Sequence, residues 1–225
     1  MKQDLSYEAE EYIETIYRLQ KQDGVAKTQK LAGKLDVVPG SVTNTIEHLE
    51  KHGLVKHEPY RGVKLTARGE RLAVKILRKH RLLERLLTDV LEADWANVHD
   101  NACKLEHAFS EELVLLLEKK LGHPKACPHG NPIPTKEGII EEESCHPLTE
   151  ADLSAYCKVT KVTDERKEKL TFLAGKGLTP GALAYVVAKA PSNIILRIAE
   201  KECVIDNEDA TDVWVKTMEE KTNGV

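Results

Sequence analysis

The first 66 residues place helix-period stripes, breakers and a hairpin in an order that few folds accept. Over residues 6–20, Ala9, Tyr12, Ile13, Ile16 and Tyr17 recur at i, i+3, i+4, i+7 and i+8, one helical stripe with Ser6 as N-cap and acids in the first turn. Thr28 precedes a short helix over 29–35, which Asp36-Val37-Val38-Pro39-Gly40 breaks. A third helix is expected over 41–52, with Val42, Ile46 and Leu49 at helical spacing and Gly53 as its stop. Residues 54–57 and 63–66 read as short strands around the turn Glu58-Pro59-Tyr60-Arg61-Gly62. Helix, helix, turn, helix and hairpin is the order of a winged helix-turn-helix.

The rest of the chain reads as helices followed by short strands. A long helix capped by Thr66 runs to about residue 90, and two more fall over 96–109 and 110–121. Ser110 caps the last of these, Glu111 and Glu112 fill its first turn, and Leu113, Val114, Leu116, Leu117 and Leu121 form its expected buried face. Residues 123–149, with five prolines and the run Glu141-Glu142-Glu143, read as an extended connector. Beyond it, β-rich runs over 156–162, 182–188, 194–198 and 213–218 are punctuated by Gly175, Gly177, Pro180, Gly181 and Pro191, the spacing of a small barrel.

With 225 residues, 41% of them hydrophobic, the chain can bury two compact cores and a small appendage. It has no apolar run near 18 residues, and Met1-Lys2-Gln3-Asp4 opens no signal-peptide pattern, so a cytoplasmic protein without a membrane partner is expected. Five scattered cysteines suit reduced thiols or metal ligands better than a disulfide framework. The formal net charge of −4 argues at first against nucleic acid. That figure is an average. Residues 27–75 hold ten basic and five acidic side chains, a +5 module, which leaves −9 on the remainder.

In the recognition helix, Ser41, Thr43 and Asn44 are short polar side chains suited to base edges, and Asn44 can pair bidentately with adenine. Ser41 serves equally well as an N-cap. Arg61 at the wing tip suits a phosphate or the minor groove, and Lys27, Thr28, Val38 and Gly40 are further candidate DNA contacts.

The stretch from His99 to His107 carries the most chemistry. His99, Cys103, Glu106 and His107 fall on one helix face, within an arc of about 100°. Imidazole, thiolate and carboxylate together suit a divalent transition ion; the alternative is a polar face with an incidental buried cysteine. His80 and Glu84, one turn apart, make a second such face, and Glu11 and Glu14 add carboxylates from the first helix. Cys127, His129, Cys145 and His146 lack the tight spacing of a structural zinc site and read as an incidental grouping in a polar loop.

Three runs together resemble the diphtheria toxin repressor family of iron- or manganese-dependent regulators. They are Arg78-Lys79-His80-Arg81-Leu82-Leu83-Glu84-Arg85-Leu86-Leu87-Thr88-Asp89, then Val98-His99-Asp100 through Cys103-Lys104-Leu105-Glu106-His107, and Gly130-Asn131-Pro132-Ile133-Pro134. The resemblance implies a mainly α protein with small β parts: a winged helix-turn-helix over 1–75, a helical metal-binding and dimerisation domain with a Pro-rich connector over 76–147, and an SH3-like barrel over 148–225. It implies a regulatory metal site of Glu11, Cys103, Glu106 and His107. It also implies an ancillary site of His80, Glu84 and His99, completed from the barrel by Glu165 and Glu168. Iron-type members resemble the chain at Cys103 but carry Met where Glu11 stands; manganese-type members put acids at both places and at Glu14. The mixed set favours Fe(II), with Mn(II) next and other divalent transition metals binding in vitro. The implied function is a repressor whose homodimer binds double-stranded operator DNA when metal aligns it. A carboxylate-bridged metalloenzyme is the rival, but such bundles use Glu-x-x-His pairs and here Glu106 and His107 are adjacent. No nucleophile triad or phosphate loop appears, so no enzyme is expected. A winged-helix sensor of an organic ligand is the other rival.

Overall fold

The computed structural model describes residues 6–58 and 61–218, so Pro59 and Tyr60 of the expected wing turn lie outside the described residues. The chain forms two compact units: the described residues up to Lys79 with Pro134–Ile139, and His80–Ile133 with the described residues from Ile140 onward.

In the first unit, α1 (Tyr7–Asp23) opens on Ser6, whose Oγ accepts the Ala9 N–H at 3.3 Å, and closes on Gly24 at φ 76°. It runs three residues past its expected end. α2 (Thr28–Leu35) has Lys27 at its N-cap, so Thr28 lies inside the helix and does not precede it. α3 (Pro39–Lys51) starts two residues earlier than expected. Proline has no N–H to lose and its φ is already helical, so Pro39 opens the helix at N1 with Val38 as N-cap. Ser41 is therefore not the cap. β1 (Val55–Glu58) and β2 (Gly62–Leu65) pair antiparallel as the wing, and Ala26 bridges Val63 with hydrogen bonds of 3.0 and 2.8 Å. Gly62, at φ 123°, has room for no side chain: a Cβ would lie 2.6 Å from the Ala26 carbonyl oxygen. Tyr12, Ile13, Ile16, Leu31, Ile46 and Leu49 are fully buried in this unit. The Thr66 hydroxyl accepts the Gly69 N–H at 3.2 Å and starts α4 (Ala67–Asp89), the helix that continues into the second unit.

The second unit packs the end of α4 with α5 (Val98–Glu106) and α6 (Glu111–Lys120) around Leu82, Leu83, Leu87, Val98, Ala102, Val114 and Leu117. α5 is shorter than expected because Asp94 Oδ1 accepts the Ala96 N–H at 3.0 Å, holding the preceding residues in a turn. Ser110 caps α6, accepting the Leu113 N–H at 3.3 Å. The expected buried face of α6 is only half right. Val114 and Leu117 turn inward, whereas Leu113, Leu115 and Leu116 are 47%, 50% and 57% exposed.

The connector is folded back more than extended. Arg81 Nη1 donates to the Pro132 carbonyl, Arg85 Nε to that of Ala126 at 2.7 Å, and Trp95 Nε1 to that of Pro128 at 2.9 Å. It leads into β3 (His146–Pro147) and a 3₁₀ turn (Leu148–Glu150). Then come β4 (Tyr156–Val162), α7 (Lys167–Gly175), β5 (Leu183–Lys189), β6 (Asn193–Ile198), β7 (Lys201–Asp206), α8 (Asn207–Thr211) and β8 (Val213–Met218). The six strands form one antiparallel sheet in the order β3-β8-β4-β5-β6-β7. Leu148, Val159, Leu170, Leu173, Val186, Leu196 and Val215 fill its core. The polar strand β7 and the helices α7 and α8 were not legible as elements in the sequence.

Candidate metal centre

In the second unit α4 and α5 face each other through the residues that one-turn spacing selects. His80 and Glu84 share a face of α4, and His99 and Cys103 share a face of α5. The His80 ring is the hub: Nδ1 lies 2.8 Å from Glu106 Oε2, and Nε2 lies 3.0 Å from both Glu84 Oε1 and His99 Nδ1. Cys103 Sγ is 3.8 Å from His80 Nδ1 and 3.9 Å from His99 Nε2. Glu165, just after β4, approaches His99 Nδ1 with Oε2 at 3.3 Å. His107 Nε2 lies 3.3 Å from Glu106 Oε1. His80, Glu84 and Glu106 are buried, as is Glu165.

Such a cluster is electrostatically tense. Burial opposes charge on His80, yet the Glu84 carboxylate and bonds to Cys103 and Glu106 outweigh it and raise its pKa well above the usual imidazole range. Burial likewise opposes ionisation of Glu84, but His80, His129 and His99 hold it well below the usual carboxylate range. His99 is raised to about 9, because bonds to Cys103 and Glu84 and the charge of Glu165 overcome burial and the repulsion of His80. Burial raises the Cys103 thiol, and bonds to His80 and His99 reverse the sign and lower it. Two raised imidazoles with nitrogens 3.0 Å apart sit more comfortably around one ion that replaces their protons.

Metal fits this donor set. Ligand atoms of His80, Glu84, His99 and Glu165 lie within 4.8 Å of one another, as do those of His80, His99 and Cys103. Bonds of about 2.0–2.3 Å at tetrahedral angles span donors about 3.3–3.8 Å apart. Glu84 Oε2 is buried without a hydrogen-bond partner.

A third group includes two residues of the connector. Cys127 and His129 are buried, and their ligand atoms lie within 4.8 Å of those of Glu84 and Glu165. The Gly130 N–H donates to the Cys127 carbonyl and the Cys127 N–H to that of Asn131, a tight turn that aims both side chains one way. Gly130, at φ 85°, lies where a Cβ would be 2.0 Å from the Thr160 carbonyl oxygen. Asn131 Nδ2 donates to Glu165 Oε1 and to the Val162 carbonyl, both at 2.9 Å, and so orients the carboxylate. Cys145 joins no such group among the described residues, and His146 instead lies 3.0 Å from the Thr217 hydroxyl.

Two expected ligands belong to none of these groups among the described residues. Glu168 is exposed in the first turn of α7 and joins none of them. Glu11 is half-buried on α1 in the first unit, where its neighbour Glu14 pairs with Arg18 at 2.8 Å.

In the first unit, Val38, Gly40, Thr43 and Asn44 are exposed at the start of α3, with Ser41 half-buried among them. The Thr43 hydroxyl donates to the Pro39 carbonyl at 3.2 Å, so part of its bonding capacity is spent inside the helix. Lys27 is exposed and Thr28 half-buried at the start of α2, and Arg61 stands exposed on the wing, 3.6 Å from Glu58.

Three family models match in chain order. They are "Iron dependent repressor, N-terminal DNA binding domain" over 4–63, "Iron dependent repressor, metal binding and dimerisation domain" over 66–135, and "FeoA domain" over 146–217. The diphtheria toxin repressor of Corynebacterium jeikeium is 39% identical over 138 residues, 61% of this chain but only 58% of that relative. The iron-dependent repressor IdeR of Mycobacterium leprae is 31% identical over 216 residues, 89% of this chain and 93% of that one. The chain belongs to the iron-dependent repressor family. Among solved structures, this family member is similar to a manganese-dependent transcriptional repressor in complex with manganese, with TM-score 0.85 and 30% identity over 93% of this chain and all of that one. No helix among the described residues is long and apolar enough to cross a membrane.

Proposed function

We propose that the protein is a metal-dependent transcriptional repressor, in which Fe(II), or Mn(II) as the next choice, enables a homodimer to bind operator DNA. One observation carries the metal half: His80, Glu84, His99 and Glu165 converge in a largely buried cluster of imidazole and carboxylate donors suited to a divalent cation. On this reading these four form the ancillary site. Cys103, Glu106 and His107 donate to the regulatory ion together with Glu11, a role that rests on the family resemblance. A bound divalent ion supplies positive charge and fixed coordination directions; the side chains hold it and surrender protons to it.

The winged helix, its exposed Asn44 and Arg61, and the +5 charge of residues 27–75 support the DNA half. The exposed Leu113, Leu115 and Leu116 of α6 support self-association. The domain division follows the same reading, 1–75, 76–147 and 148–225. Iron is favoured because Cys103 softens the donor set, and Glu11 keeps manganese competitive.

The test is operator binding by gel shift with a DNA selected from a random pool, with Fe(II), with Mn(II) and with chelator. Glu11→Ala should keep its circular dichroism spectrum and lose metal-dependent binding. Equal binding with and without chelator in the unaltered protein would end the proposal.

A further inference from the structure

We propose that His48 and His52 form a surface site on α3 for one divalent transition ion, with Ni(II), Cu(II) or Zn(II) bound ahead of Mn(II) or Fe(II). The two residues lie four apart, so they stand one above the other on one face of the helix. Their rings already lie side by side, with centres 4.3 Å apart and planes tilted by 46°. Two imidazoles bound to one ion at about 2.0–2.1 Å hold their ring centres about 4.5–5 Å apart. The pair needs to open only slightly to take one. His48 is exposed and His52 half-buried, so the ion arrives from solvent.

The surroundings prepare the pair. His52 Nδ1 lies 2.8 Å from the His48 carbonyl oxygen, which can only accept, so Nδ1 carries the proton and Nε2 keeps its lone pair for a metal. The backbone beneath is pinned as well: the His52 N–H donates to the His48 carbonyl at 3.2 Å, and Arg68 Nη1 donates to the His52 carbonyl at 2.9 Å. α3 ends at Lys51 with His52 as its C-cap, so the negative end of the helix dipole favours a cation here, against the like charges of Lys51 and Arg68. Once one imidazole holds an ion, the second acts at high local concentration, which lifts the pair above a lone surface histidine. Two nitrogen donors with no carboxylate select the later ions of the divalent series over manganese. Asn44 lies four residues before His48, so the ion stands one turn beyond it on the same stripe of α3.

The site stands on the geometry of α3 alone and not on the repressor reading, so either can fail without the other. The full metal-free chain is dialysed against Ni(II), and bound nickel is counted in the unaltered protein, in His48→Gln, in His52→Gln and in the double variant. Whatever nickel the buried donors take is common to all four, so a difference belongs to α3. The unaltered chain should take up one more ion than the double variant, and each single variant should need tenfold more nickel or higher to fill that place. Nickel should also slow the reaction of His48 with diethyl pyrocarbonate, read by peptide mass mapping, while Mn(II) at the same concentration leaves it open. Equal counts, or an extra ion that neither single substitution weakens, would overturn the site. If the variants fail to fold by circular dichroism, the unaltered chain decides: shielding of His48 by nickel upholds the site and its absence overturns it.

Discussion

On the proposed function, metal choice turns on Cys103. Its sulfur lies within 4 Å of two imidazoles that lower its pKa, so a thiolate is available to a soft ion at little cost. Cys103→Glu should shift the preference from iron toward manganese by roughly tenfold, about 1.4 kcal/mol, read as the ratio of operator affinities under the two metals. Gly130 matters for a different reason. Gly130→Ala would force a left-handed backbone on alanine and drive its Cβ into the Thr160 carbonyl, a loss of about 3 kcal/mol measurable by urea unfolding. The sequence disclosed the pairs His80 with Glu84 and His99 with Cys103, because one-turn spacing on a helix is a local property. It could not disclose Cys127 and His129. Their partners sit on α4 and after β4, and only the folded chain brings those positions to the turn.

At the scale of elements, polar caps and breakers were the readable signals. Ser6 and Ser110 both accept the N–H three residues on, as their positions ahead of acid-rich turns predict. Ser110→Ala should cost about 1 kcal/mol in chemical denaturation without changing the fold. Pro39 misled because the break it signals is also a legitimate helix start, so α3 begins there and Ser41 loses its capping role. β7 was invisible since its Lys201, Glu202 and Asp206 are exposed and mask the alternation that marks a strand. The inward face of α6 was overcounted: five apolar residues in sequence exceed what one face can bury, and the surplus points outward.

For the whole molecule, that surplus has a use if the repressor is a dimer. Leu116→Glu should weaken self-association by tenfold or more in sedimentation equilibrium, while the stability of the separated chain changes by less than about 0.5 kcal/mol. The order of winged helix, helices and small sheet was legible from end to end, since each part announces itself by periodicity and punctuation. The Pro-rich stretch was the exception, read as a spacer although its carbonyls are claimed by Arg81, Arg85 and Trp95. By composition it is where a protease would be expected to cut. Cleavage needs several consecutive residues drawn out into an enzyme's groove, and here Cys127, His129, Asn131 and Ile133 are buried between the claimed carbonyls. Residues 127–133 should thereby resist a protease, whereas the mostly exposed stretch 136–144 stays open to one.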